Sequence, residues 1–105
     1  MYEIRMTYRS ASCTIIVWED ENTATIDTLS ADYKRRGHGT GLMQRVANWA
    51  DGVQINLILR VAPFGDEPKL SYPQLKQFYK RFGFRENSYD IMSRAPQELS
   101  KSVDG

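Results

Sequence analysis

Polar and apolar residues alternate from the second residue onward: Tyr2, Ile4, Met6 and Tyr8 are separated by Glu3, Arg5 and Thr7, with Arg9 following. A period of two describes a strand with one face buried. Arg9-Ser10-Ala11-Ser12 reads as a turn, and Cys13 to Glu19, rich in β-branched residues, reads as a second strand. Asp20-Glu21-Asn22 turns the chain again, and Ala24 to Ser30 makes a third strand. Connections this short exclude parallel crossovers, so an antiparallel meander is expected.

The period changes after the loop Ala31 to Gly37. Leu42, Met43, Val46, Ala47 and Ala50 fall on one face at helical spacing, with Asp51-Gly52 as the expected stop. Gln54 to Val61 is a further strand, and its run Ile55-Asn56-Leu57-Ile58-Leu59 is apolar enough for the middle of a sheet. A loop rich in proline and charge follows, Ala62 to Tyr72. Pro73 suits the first turn of a second helix, where its missing N–H costs nothing. Leu75, Phe78, Tyr79 and Phe82 form the stripe of that helix, and Gly83 ends it. Phe84 to Glu86 and Tyr89 to Arg94 close the fold as a hairpin around Asn87-Ser88. The order βββ-α-β-α-ββ predicts an α+β fold, a mostly antiparallel mixed sheet with helices packed on it. Residues 1–94 form the expected domain, and 95–105 a polar C-terminal tail.

Composition narrows the classes of function. A chain of 105 residues has room for one domain. A net charge of +1, with 26% charged residues, argues against a surface given over to nucleic acid or membrane. No apolar run approaches the ~20 residues of a bilayer span, and the alternating charges at the N-terminus are unlike a signal peptide. The single Cys13 has no internal disulfide partner and reads as a small buried strand residue, which favours the cytoplasm. One histidine, one cysteine and no clustered carboxylates give no metal site.

The most informative stretch is Lys34-Arg35-Arg36-Gly37-His38-Gly39-Thr40-Gly41, between a strand and a helix. Helix N-termini expose unpaired N–H groups and carry about half a positive charge. Glycines let a phosphate approach backbone without meeting a Cβ, so this unit is an anion cradle suited to a pyrophosphate. A nucleotide P-loop requires Lys and Ser/Thr after its last glycine, where this chain has Leu42 and Met43. The dinucleotide fingerprint requires a different glycine spacing and a larger parallel sheet. Both fail.

The stretch Leu29 to Met43 resembles the acetyl-CoA signature of the GNAT superfamily of N-acetyltransferases: a strand end, a short loop, Q/R-x-x-G-x-G/A, then a helix with an apolar start. Lys34 stands where Gln or Arg is usual, and Ala31 where Pro is common. Phe78-Tyr79-Lys80-Arg81-Phe82-Gly83-Phe84 resembles the family's late aromatic-Tyr-x-x-x-Gly-Phe segment, in the family's order and spacing from the glycine loop. Tyr72 replaces the Asn often found seven residues before the motif Tyr. The resemblance covers residues 2 to 94. It implies a GNAT-like fold without the usual first strand and N-terminal helices, similar in length to small phage- and plasmid-borne members.

The resemblance implies acetyl-CoA as co-substrate and acetyl transfer to a primary amine. It gives Leu29, Ser30 and Ala31 the role of pairing with the pantetheine arm, and Lys34, Arg35, Arg36, Gly37, His38, Gly39 and Thr40 that of holding the phosphates. An N–H near Leu29 would stabilise the oxyanion. An attacking lysine amine must lose a proton, its reference pKa being near 10.4. Asp27, two residues before Leu29 and by alternation on the same face, is the candidate base or amine anchor. Tyr79 is the candidate for assisting departure of the thiolate. A phenol is a weaker acid than a thiol, ~10 against ~8.5, so hydrogen bonding is easier to defend than full proton transfer. His38, at the variable position of G-x-G, reads as a packing or solvent-facing residue, and Trp18 and Trp49 as packing residues.

The missing substrate-side helices leave an open acceptor face, which favours a protein lysine over a small amine. The alternatives are a small-molecule amine acetyltransferase and a catalytically silent acyl-CoA-binding module. A nucleic-acid domain using Lys34, Arg35, Arg36, Lys80, Arg81 and Arg85 is disfavoured by the near-neutral charge. Both monomer and homodimer are open.

Overall fold

The computed structural model describes residues 1–30, 37–61 and 71–97. Six strands form one sheet in the order β1-β2-β3-β4-β6-β5. Strands β1 (Tyr2–Tyr8), β2 (Ala11–Trp18) and β3 (Thr23–Ser30) are the antiparallel meander that alternation and short turns predict. The first turn is tighter than expected: Tyr8 pairs with Ala11, leaving only Arg9 and Ser10 as the loop, with Arg9 at φ 55°. A 3-10 turn at Glu19–Glu21 and a left-handed Asn22 lead into β3.

Helix α1 (His38–Val53) crosses from β3 to β4 (Asn56–Arg60), which pairs with β3 in parallel. Gly52 does not stop this helix. Asp51 is buried as an ion-pair partner, so the helix continues past it and ends at Gln54, φ 55°, whose N–H bonds the Ala50 and Asp51 carbonyls. Helix α2 (Tyr72–Lys80) starts one residue before Pro73. Ser71 caps it reciprocally with Gln74, satisfying two otherwise unpaired N–H groups. Gly83, at φ 96°, then lets the chain turn into β5 (Arg85–Glu86) and β6 (Ile91–Arg94). These form the expected closing hairpin, with shorter strands than the sequence predicts.

One face of the sheet carries Ala11, Cys13, Ile15, Val17, Ala24, Ile26, Leu57, Leu59 and Met92. These pack in a single core with Leu42, Met43, Val46 and Ala50 of α1 and with Leu75 and Tyr79 of α2. Both helices therefore cover the same face. Residues between the core positions, such as Thr14, Ile16, Thr25 and Ile58, point to the other face and are only half-buried. No described helix lies over them. The architecture is thus a small α+β fold with a mixed, mostly antiparallel sheet.

At the start of the expected polar tail, Gln97 is held to the end of α1. The Gln97 N–H donates to Asp51 Oδ1 at 2.8 Å, and Gln54 Nε2 donates to the Gln97 carbonyl at 2.9 Å. Residues 98–105 lie outside the described residues. Cys13 is buried, and burial pushes its thiol pKa up to about 11. Among the described residues no helix is long and apolar enough to cross a membrane.

Candidate functional site

The sheet changes character where β3 approaches its C-terminal end. Ile15 pairs with Ile26 but Cys13 pairs with Leu29, so Asp27 and Thr28 stand opposite Thr14 alone. This is a β-bulge, a device that bends one strand away from its neighbours. The parallel pairing of β3 with β4 ends at the same level, its last pair being Ile26 with Leu59. Beyond it β4 remains with β6 through Arg60 and Ile91, while β3 remains with β2 through Ser12 and Ser30. The two parallel strands part company there. From Asp27 to Ser30, the edge of β3 away from β2 faces no described strand. Crevices beyond the carboxyl ends of adjacent parallel strands are recurrent ligand sites in open sheets.

The bulge also corrects the placement of Asp27. Leu29 shares the core face with Ile26, three residues away, because the extra residue resets the alternation. Asp27 is exposed and Leu29 is half-buried against the core, so the expectation that they share a face does not hold.

The start of α1 lies at this same end of the sheet. Ser10 Oγ and His38 Nδ1 are 2.5 Å apart, and the Ser10 N–H also approaches Nδ1, at 3.4 Å. Ser10 is two residues from Ser12, the partner of Ser30, so one hairpin turn fixes both the strand end and the helix start. Helix α1 is preceded by Gly37 at φ 89°, has no side-chain cap and carries no acidic residue in its first turn. The Gly41 N–H closes the first hydrogen bond onto the Gly37 carbonyl at 2.8 Å. The N–H groups of His38, Gly39 and Thr40 precede that bond and have no partner within the helix. Gly37 and Thr40 are exposed, His38 and Gly39 half-buried.

Gly41 has a separate reason to be glycine. A Cβ there would overlap the ring of Tyr8. That ring also has the guanidinium carbons of Arg9 and Arg45 within 5.6 and 5.4 Å of its centroid. No local pattern announces this cluster. The one available signal is the spacing His38, Gly41, Arg45, which puts the three on one stripe of α1.

Tyr79 is 2% exposed, with its ring edge-on to Phe78 at 5.3 Å and to Phe84 at 5.9 Å. It belongs to the same core as Leu59 and Met92. Tyr72 stacks on Tyr89 at 5.5 Å. Among the other candidate residues, Leu29 and Ser30 end β3 as expected, whereas Ala31, Lys34, Arg35 and Arg36 lie outside the described residues. Trp49 packs against the core, and Trp18 is exposed with its indole N–H on Thr25 Oγ1.

No protein-family model matches the sequence, and no curated protein matches it. Among solved structures the chain is similar to the crystal structure of the anti-CRISPR protein AcrVA5, with a TM-score of 0.73 at 23% identity. The match covers 90% of this chain and 100% of that one. At that level of identity the likeness is one of fold.

Proposed function

We propose that the chain is an acetyl-CoA-dependent N-acetyltransferase with a GNAT-like fold, acting on a primary amine, with a protein surface lysine as the favoured acceptor. One arrangement supports this reading most. Strand β3 bulges at Asp27 and Thr28 and leaves its parallel partner there. The uncapped start of α1 lies at the same end.

The residues fit acetyl-CoA on two counts. Peptide groups along the β3 edge beyond Ile26 can pair with the amides of a pantetheine arm as an added strand would. The first turn of α1, without cap or carboxylate, suits a pyrophosphate. Acetyl-CoA supplies an acyl group already activated as a thioester. The chain's own residues divide the rest of the work: the backbone N–H near Leu29 donates to the carbonyl oxygen as charge develops. Exposed Asp27 takes the proton of the incoming amine, directly or through water. Tyr79 donates a hydrogen bond to the departing sulfur.

A second reading, a catalytically silent acyl-CoA-binding module, is favoured by one observation: the 2% exposure of Tyr79 is that of a core ring. Kinetics of Tyr79→Phe separate the two. The substitution keeps the ring against Phe78 and Phe84 and removes the hydroxyl. Turnover at saturating acetyl-CoA should fall roughly 10–1000-fold, the scale of acid–base assistance, with little change in acetyl-CoA affinity. Equal rates would remove the Tyr79 hydroxyl from the transfer step. If the parent acetylates no protein in a lysate and no simple amine, the silent module stands.

A further inference from the structure

The cations around Tyr8 have no evident role in packing or in the transfer step. Arg9 and Arg45 come from different elements, yet both bring a guanidinium within 6 Å of one ring centroid. Cation–π attraction can hold each of them there. It does not neutralise charge, and two like charges beside one ring repel each other. Arg60 and Arg94 have carboxylate partners in Asp90 and Asp51. Among the described residues Arg9 and Arg45 have none. Both are exposed and open to a ligand from solvent.

Their position is fixed from both sides. His38, Gly41 and Arg45 form the stripe of α1 that meets the β1–β2 turn: His38 on Ser10, Gly41 and Arg45 on Tyr8. Arg9 sits in that turn, beside Ser10. Two planar, fork-shaped donors thus share the Tyr8 ring, which itself rests on the first turn of the helix at Gly41. Guanidinium forks match the oxygens of a phosphate in a bidentate way. Coenzyme A carries negative charge in two places, a pyrophosphate and a phosphomonoester on the ribose. A pyrophosphate at the helix start leaves the monoester to be met from the side.

We propose that Arg9 and Arg45 form a second anion subsite, which takes the ribose 3′-phosphate of a coenzyme A ester. This inference rests on the acyl-CoA reading of the preceding subsection, and its test distinguishes failure of one from failure of the other. Coenzyme A and 3′-dephospho-coenzyme A are titrated calorimetrically into the parent, into Arg9→Gln/Arg45→Gln and into Arg9→Lys/Arg45→Lys, with thermal melts as the check on folding. The parent should bind coenzyme A about tenfold or more tightly than the dephospho form, the scale of one or two charge-assisted hydrogen bonds. That preference should shrink with added salt. It should vanish in the Gln variant, with dephospho-coenzyme A affinity unchanged, and survive in part in the Lys variant. Equal affinity of the parent for both ligands overturns the subsite and leaves the acyl-CoA reading intact, as does a preference retained in a folded Gln variant. No binding of coenzyme A by the parent overturns both. Should the Gln variant fail to fold, the parent's own ratio and the Lys variant still decide.

Discussion

The two ends of α1 are built on opposite principles. At its C-terminal end the buried charged side chains, Asp51 and Arg94, are paired with each other. Asp51 stands in the core stripe of the helix, and its two oxygens take Arg94 Nη1 and Nη2 at 2.8 and 3.0 Å. Arg94 Nε goes to the Phe82 carbonyl, the Gln97 N–H goes to Asp51, and Gln54 caps the helix with backbone and side chain. That one cluster ties α1, the turn after α2, β6 and the chain beyond β6 together. At the N-terminal end the helix starts on a left-handed glycine with no side-chain cap, and the neighbouring arginines have no described carboxylate. Unanswered donors cost little where water reaches them, and they are what an anion requires. The contrast teaches that one helix can anchor the fold at one end and be left open for a ligand at the other.

The sharpest way to break the comparison is at the anchored end. Asp51→Ala leaves the Arg94 guanidinium buried and uncompensated, and should lower stability by about 3–5 kcal/mol in urea unfolding. Acetyl-CoA affinity of the molecules that remain folded should not change, because the affected end of the helix is the remote one. The same pair predicts a pH dependence. Hydrogen bonding to Arg94 holds the Asp51 carboxyl below the usual carboxylate range. Its contribution is complete above the ordinary carboxylate pKa and is lost as pH falls through the depressed folded value. The acid limb of the parent's stability curve should therefore be steeper than that of Asp51→Asn.

A smaller effect is expected at the open end. In Gly41→Ala the new methyl group overlaps the Tyr8 ring, and the cost should be about 1–3 kcal/mol by thermal or chemical unfolding. Tyr8 is only half-buried and can yield, which keeps this below the Asp51 effect. Unlike Asp51→Ala, this change should also weaken coenzyme A binding, since displacing Tyr8 moves the surface on which Arg9 and Arg45 rest. A loss of stability with unaltered binding would show that the open end tolerates rearrangement.

The anchored end and the open end were not equally legible in the sequence. Strand alternation, the helical stripes and the glycine-rich loop are local patterns, and they predict the order of elements and a helix that follows the glycine-rich loop. The Asp51–Arg94 pair spans 43 residues of sequence, and Asp51 looked like part of a helix stop because Asp-Gly is common there. The bulge at Asp27 and Thr28 is equally silent. Thr-Ile-Asp-Thr-Leu reads as plain alternation, and only the register against β2 reveals the additional residue. The Tyr8 cluster depends on a hairpin turn docking against a helix start, a contact that no periodicity records.

The central claim is that the glycine-rich start of α1 holds the phosphates of acetyl-CoA, and calorimetric titration of acetyl-CoA into the parent and into Gly39→Val tests it most directly. The parent should bind, and its melting temperature should rise with ligand by mass action. Gly39→Val should stay folded, because Gly39 lies in the first helical turn and is half-buried, yet show no binding, the branched side chain now standing where a phosphate approaches. No binding by the parent, or undiminished binding by a folded Gly39→Val protein, would contradict the account.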